Sequence, residues 1–394
     1  MSPKPNISTN RFLSAYLDED ALLEKAMRQT GLSDFGGNTF REPFQILLKS
    51  LREEARLSVA GVVIMHNTMA RLLTNRLLTE QAFADEPSMG DTPIERPLYV
   101  LGLPRTGTTL LHNLLACDPN ARWLHLWEGL YPAPSPRSLE NDPRILRSEE
   151  WTASFEKVAP LLPIAHKLQP RGPEECFWLM ENTFTDLIFE LRARVPGYSE
   201  WLIANEANAD IYRYYRRQLQ MLSNHCRGRH WVFKAPRHLP GLAGLLAVFP
   251  DACIVQTHRD ATEVLPSLCS LCEILWSAVS DDVDKYAIGA HWLQRFGKIV
   301  EQTHKTYSIA KPGQILDIRY VDLMRDPIGT VRRIYDHHGY EYSPEFEIDM
   351  RGWLANNRQH KYGLHRYTLE EYGLNATKLK RDFHDYQQAF GIVR

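Results

Sequence analysis

The stretch from Val100 to Leu114, VLGLPRTGTTLLHNL, constrains the fold more than any other part of this chain. An apolar run ends at Gly102, four residues intervene before Gly107, and Thr108 and Thr109 then open an apolar helical pattern. A strand, a glycine-bounded loop and a helix in that order turn backbone N–H groups and a helix N-terminus toward an anion. A triphosphate-binding loop carries Lys after the second glycine, followed by a hydroxyl for Mg²⁺. Here the lysine position is Thr108, and the loop's cation is Arg105. The loop therefore suits a terminal phosphate-like group but not the usual triphosphate and metal. A tight strand-to-helix turn with no ligand is the other reading of the same residues.

The 394 residues are 44% hydrophobic and 24% charged, enough apolar material for one large decorated domain or two modest ones. A net charge of −2 gives no reason to expect nucleic acid or a polyanion as partner. No apolar run approaches the length that crosses a bilayer, and the first residues lack a secretory pattern. Cys269 and Cys272 form a CxxC, but PSLCSLCEILW reads as a buried helix and no second pair completes a zinc site. A reduced cytoplasmic protein without a metal is expected.

From about Asn10 to Ala84 apolar residues recur at three- and four-residue spacing, which predicts helices with a break at Gly61. DEPSMGDTPIERP then links to a different pattern, short apolar runs separated by helices: PLYVLGL, WVFKA at 231–235, ACIVQTH at 252–258 and QILDIRY at 314–320. Such alternation predicts an α/β fold, a P-loop-like parallel sheet flanked by helices. The expected organisation is an N-terminal helical extension over 1–95 and an α/β core over 96–350. A helical, aromatic-rich insertion occupies about 123–229 of that core. A tail over 351–394 follows, with a helix around Thr368 to Phe390. GPEE at 172–175 reads as a helix start, where Glu174 and Glu175 suit the macrodipole, with a role in orienting the acceptor as the secondary reading.

A second anion site follows the first. ACIVQTH ends at His258, Arg259 comes next, and Ser267 stands eight residues beyond Arg259 on the following helix. Guanidinium makes paired charge-assisted bonds to phosphate, and a hydroxyl adds a donor. PRTGTT is similar to the PKSGTT or PRSGTT loop of sulfotransferases that use 3′-phosphoadenosine 5′-phosphosulfate (PAPS). HRDATEVLPS resembles their 3′-phosphate element, and YVDL, opening at Tyr320, resembles their third element. The resemblance covers roughly Pro97 to Gly339, and RGPEECFWL, KAPRHLP and HRYTLEEYGL look like its bacterial small-molecule branch.

The resemblance implies that Arg105, Thr106, Gly107, Thr108 and Thr109 hold the 5′ end of PAPS and that Arg259 and Ser267 hold the 3′-phosphate. It places Tyr320 near adenine, where a packed edge-strand tyrosine is the alternative. His365, Arg366 and Tyr367 would close over the nucleotide, making 351–394 a cofactor-covering segment. Sulfuryl transfer resembles phosphoryl transfer in being positioning and charge stabilisation with one base for the acceptor hydroxyl. Lys234 in FKAP is the expected catalytic cation beside Arg105. The base is either Glu128, in a branch-like position after Asp118-Pro119 but about two residues late, or His238 in KAPRHLP, with His125 third.

The expected acceptor is a small apolar alcohol, phenol or lipid-like metabolite, walled by aromatic residues such as Trp123, Trp127, Tyr131, Phe177 and Trp178. Two readings compete: a P-loop kinase or nucleotide hydrolase, and a catalytically silent nucleotide-binding or helical scaffold. The oligomeric state, monomer or homodimer, stays open.

Overall fold

Five short strands, each rich in Val, Ile, Leu or aromatic residues, pair in parallel in the order β2-β3-β1-β4-β5. They are β1 Leu98–Gly102, β2 Ala121–Trp123, β3 His230–Lys234, β4 Cys253–His258 and β5 Ile315–Arg319. This computed structural model describes residues 15–134, 142–224, 229–357 and 367–392. Four strands lie where the apolar runs predict them. The three-residue β2 has too little apolar material to show in the pattern; it pairs Ala121 to Trp123 with His230 to Val232 at the sheet edge.

The two-residue period of β1 divides the interior. Leu98 and Val100 face one side with Val232, Val255 and Ile318, packed by α4 (Thr108–Leu115) and helices at 327–338 and 344–356. Tyr99 and Leu101 face the other side, where one continuous core takes in the N-terminal helices and the insertion. Strands buried on both faces are what a parallel sheet needs.

The N-terminal helices are α1 (Glu19–Thr30), α2 (Arg41–Glu53) and α3 (Val59–Asp85). Gly61 does not break the helical run. Ser58 caps α3 by accepting from the Gly61 N–H at 3.0 Å, and the break falls at 54–58 just before it. Gly61 is required for another reason: a Cβ there would lie inside the backbone carbonyl of Val279, so only glycine lets α3 dock. The insertion contains α5 (Leu126–Leu130) and α6 (Pro143–Val158) among shorter helices. α7 (Ala261–Ser277) follows β4, and the helix at 344–356 runs through position 350. The tail is not one helix: Gly373, in the left-handed region at φ 67°, follows a turn at 370–372, and two short helices come after it.

Candidate active site

Strand β1 delivers the chain to a loop at the C-terminal edge of the sheet, between β3 and β4, where parallel sheets open a crevice for ligands. Arg105 has φ 74° and Gly107 φ 90°, two left-handed residues in five, which wind the loop back on itself. A Cβ at Gly107 would lie 3.0 Å from the Tyr320 ring, so glycine is needed for the loop to approach that ring. The Thr106 hydroxyl donates to the Leu103 carbonyl at 2.7 Å and lies 2.6 Å from Thr257 Oγ1, tying the loop to β4. Thr108 is buried, while Thr109 is exposed at the first turn of α4. The N–H groups of that first turn have no intrahelical acceptor and face the loop's concavity.

The second anion element folds onto the first. Arg259 Nη1 donates to the Arg105 carbonyl at 2.8 Å, and its guanidinium lies 4.1 Å from the centre of the Tyr320 ring. Arg105 Nε donates to Ser267 Oγ at 3.0 Å and its Nη1 to the Ala165 carbonyl at 2.9 Å. Arg105, Gly107, Arg259, Ser267 and Tyr320, from three strand ends and one helix, thus share one crevice. Burial lowers the Arg105 guanidinium from its ordinary value, and the Tyr367 hydroxyl pulls it back. Of the three tail residues expected to close over the nucleotide, Tyr367 sits beside Arg105; His365 and Arg366 lie outside the described residues.

Lys234 ends β3, is 2% exposed, and has two partners: Thr109 Oγ1 at 3.4 Å and a close ion pair with Glu175. The sequence reads Glu175 chiefly as a helix-start carboxylate. Its segment is not a helix start, because the helix begins at Phe177. Residues 174–176 are stitched to strand ends: the Glu174 N–H donates to the Leu124 carbonyl at 2.8 Å and the Cys176 N–H to the Lys234 carbonyl at 3.0 Å. That stitching places the Glu175 carboxylate on the ammonium of Lys234. His166 Nε2 stands 4.0 Å from the same carboxylate. Burial brings His166 down to about 4 against the pull of Glu175, with Lys234 and Arg105 adding to the fall. Burial also pushes Glu174 up to about 7.

Both bases expected from the sequence have other partners in the fold. Glu128 closes the capping box of α5: one oxygen takes the His125 N–H at 3.0 Å, the other takes Arg122. Burial alone would raise its carboxyl, but Arg122 and His125 outweigh that and hold it at about 2. A carboxylate so held accepts a proton poorly. His238 is fully buried among Tyr99, Tyr212 and Tyr215. Burial, with Arg237 beside it, lowers it to about 3. His125 is spent on Glu128 as well, at 2.9 Å.

A small cavity adjoins the loop, with Pro104, His166, Glu175, Phe177, Trp178 and Leu275 in its wall. Of the aromatic residues expected around the acceptor, Phe177 and Trp178 stand here, and Tyr131 lines a neighbouring cavity. Among the described residues no group of His, Cys, Asp and Glu has metal-binding geometry, and no helix is long and apolar enough to cross a membrane.

A parallel α/β sheet with an anion loop after its central strand and a second cationic residue at the next strand end defines a P-loop-like group transferase. The family model described as Sulfotransferase family matches residues 97–344, more than half of the chain. This protein belongs to the sulfotransferase family and is an enzyme of that class. It is 25% identical over 285 residues to the omega-hydroxy-beta-dihydromenaquinone-9 sulfotransferase Stf3 of Mycobacterium bovis, covering 70% of this chain and 71% of the relative. The crystal structure of sulfotransferase STF9 from Mycobacterium avium superimposes with a TM-score of 0.86 at 29% identity, covering 100% of this chain and 99% of that one. Sulfotransferase STF1 from Mycobacterium tuberculosis H37Rv gives 0.82 at 32% identity, covering 94% and 100%.

Proposed function

We propose that this sulfotransferase moves a sulfuryl group from PAPS to the hydroxyl of an apolar alcohol, phenol or lipid-like acceptor, in the cytoplasm. The observation that carries the reading is the shared crevice of Arg105 and Arg259: one guanidinium bonds the other's backbone, and Ser267 and Tyr320 join them. A nucleotide with phosphates at both its 3′ and 5′ positions needs cationic sites close enough for one molecule to touch both. The residues fit that need, since glycine at 107 lets the left-handed loop pack against Tyr320, beside the Arg259 guanidinium.

In this reading the N–H groups of 106–109 hold the 5′ end, Arg259 and Ser267 hold the 3′-phosphate, and Tyr320 flanks the base. PAPS supplies an activated sulfuryl group on an anhydride, and adenosine 3′,5′-bisphosphate is the product. Lys234 offsets charge that grows on the leaving oxygen. Glu175 is assigned as the base, in place of Glu128 or His238. Its carboxylate takes the acceptor's proton while the acceptor oxygen forms its bond to sulfur. No metal is assigned a part, because two guanidiniums and an ammonium already stand at the crevice. A relative named for an omega-hydroxylated menaquinone supports an apolar acceptor bearing a hydroxyl.

The test is binding followed by transfer. Adenosine 3′,5′-bisphosphate should raise the melting temperature, and ATP with Mg²⁺ should not. Labelled sulfonate should then pass from PAPS to an alcohol. Stabilisation by ATP alone, or no transfer to any alcohol or phenol, would overturn the reading.

A further inference from the structure

The cavity at Glu175 is too small for most apolar alcohols. Its volume is about 80 Å³, room for only a few non-hydrogen atoms. A second space adjoins it. Phe155, Arg192 and Leu275 belong to its wall, and the same three residues line a second cavity of about 1060 Å³. That volume reaches the upper limit of pockets for drug-sized ligands.

The outer cavity lies between α1 and α3 on one side and α6 on the other, with the end of α7 as its floor. Ile64, Met65, Tyr131 and Trp151 give it an apolar wall. At its rim Leu78 on α3 is 37% exposed and Val158 on α6 is 43% exposed. The inner cations are partly offset: Arg71 and Arg192 share the single carboxylate of Glu181, and Arg144 pairs with Asp142. No carboxylate stands among the described lining residues, so Lys25 and Arg147 leave the outer cavity positive.

We propose that the acceptor is a long-chain lipid alcohol, with its terminal hydroxyl at Glu175 and its chain running past Phe155 and Leu275 into the outer cavity. The far end of the chain then lies near Lys25 and Arg147, which admit a neutral or acidic end group and disfavour a cationic one. The N-terminal helices become part of the acceptor site. This inference rests on the sulfotransferase reading of the inner pocket.

The experiment measures sulfonate transfer from PAPS to a homologous series of straight-chain primary alcohols. In the full chain, kcat/KM should rise about two- to fourfold per added methylene until the outer cavity is filled. Thr74→Trp, from the α3 wall, should lower the ratio of long-chain to short-chain kcat/KM by about tenfold or more. Ser154→Trp, from the exposed face of α6, provides the same obstruction from the opposite wall. Melting-temperature stabilisation by adenosine 3′,5′-bisphosphate should persist in both variants, which reports that they fold and bind nucleotide. If short alcohols react and chain length makes no difference, or both variants leave the ratio unchanged, the channel is refuted while the sulfotransferase reading stands. If no alcohol of any length reacts, both fall together.

Discussion

Arg259 donates to the main-chain carbonyl of Arg105 across 2.8 Å, although 154 positions separate the two in sequence. The two cationic elements therefore have a fixed mutual position before any ligand arrives. A crevice arranged in advance loses less entropy on binding than two independently moving sites would.

Removing the Arg259 side chain should weaken the nucleotide without unfolding the protein. Its side chain otherwise meets the Tyr320 ring and Glu263, on the first turn of α7, and both Arg259 and Glu263 are partly exposed. Charge-assisted bonds are each worth about 1.5–3 kcal/mol. Arg259→Ala should lower calorimetric affinity for adenosine 3′,5′-bisphosphate by about ten- to a hundredfold. An unchanged affinity would count against the 3′-phosphate assignment.

Lys234 and Glu175 should behave in the opposite way. Lys234→Ala should reduce kcat by about 10²–10³, and Glu175→Gln by about 10²–10⁴. Nucleotide affinity should stay within about threefold in Glu175→Gln. A Glu175→Gln enzyme that turns over normally would remove the carboxylate from the mechanism.

Two glycines allow a paired test of packing. Gly61→Ala drives a methyl into the Val279 carbonyl and should cost about 1–3 kcal/mol in thermal or urea unfolding. Gly297, within the helix Lys285–Tyr307, has open space where a Cβ would sit. Gly297→Ala should be stabilising by about 0.5–1 kcal/mol. Equal effects at the two positions would contradict the docking of α3 on the end of α7.

Acid should destabilise the fold through histidines held neutral by burial. His238 falls from 6.5 to about 3 in the folded chain. The unfolded chain then binds the extra proton between those values, so this contribution is intact above about 6.5 and is lost as pH falls toward 3. His238→Gln should lower stability overall yet flatten its pH dependence in that window by up to about 1.4 kcal/mol per pH unit. Chemical unfolding at several pH values checks the slope, and an unaltered slope would mean that His238 titrates normally in the fold. Glu128, at about 2, acts in a lower window: its stabilisation holds above about 4.5 and disappears below it.

The strands and the anion loop were legible because their signals are local. An apolar run between turn residues, then Gly107 at the start of a helix, depends on neighbours within a dozen positions. The strand β2 was not, since three residues at a sheet edge carry no periodicity. Gly61 resembles a break in the sequence because glycine weakens an isolated helix, whereas the tertiary contact with Val279 decides its identity. Glu128 and Glu175 show the same division. Each is a glutamate in an aromatic context, and only the folded chain shows which of them meets Lys234.

What the amino-acid order alone determined is the alternation of strands and helices and the residue types at two strand ends, because both follow from short-range sterics and periodicity. Which carboxylate faces the ammonium, and how far the cavity beyond it extends, depended on segments far apart in the chain: 174–176 stitched to β3, and α1, α3 and α6 brought around one space. Contacts between distant segments arise from the closing of the whole core, and no window of sequence contains them.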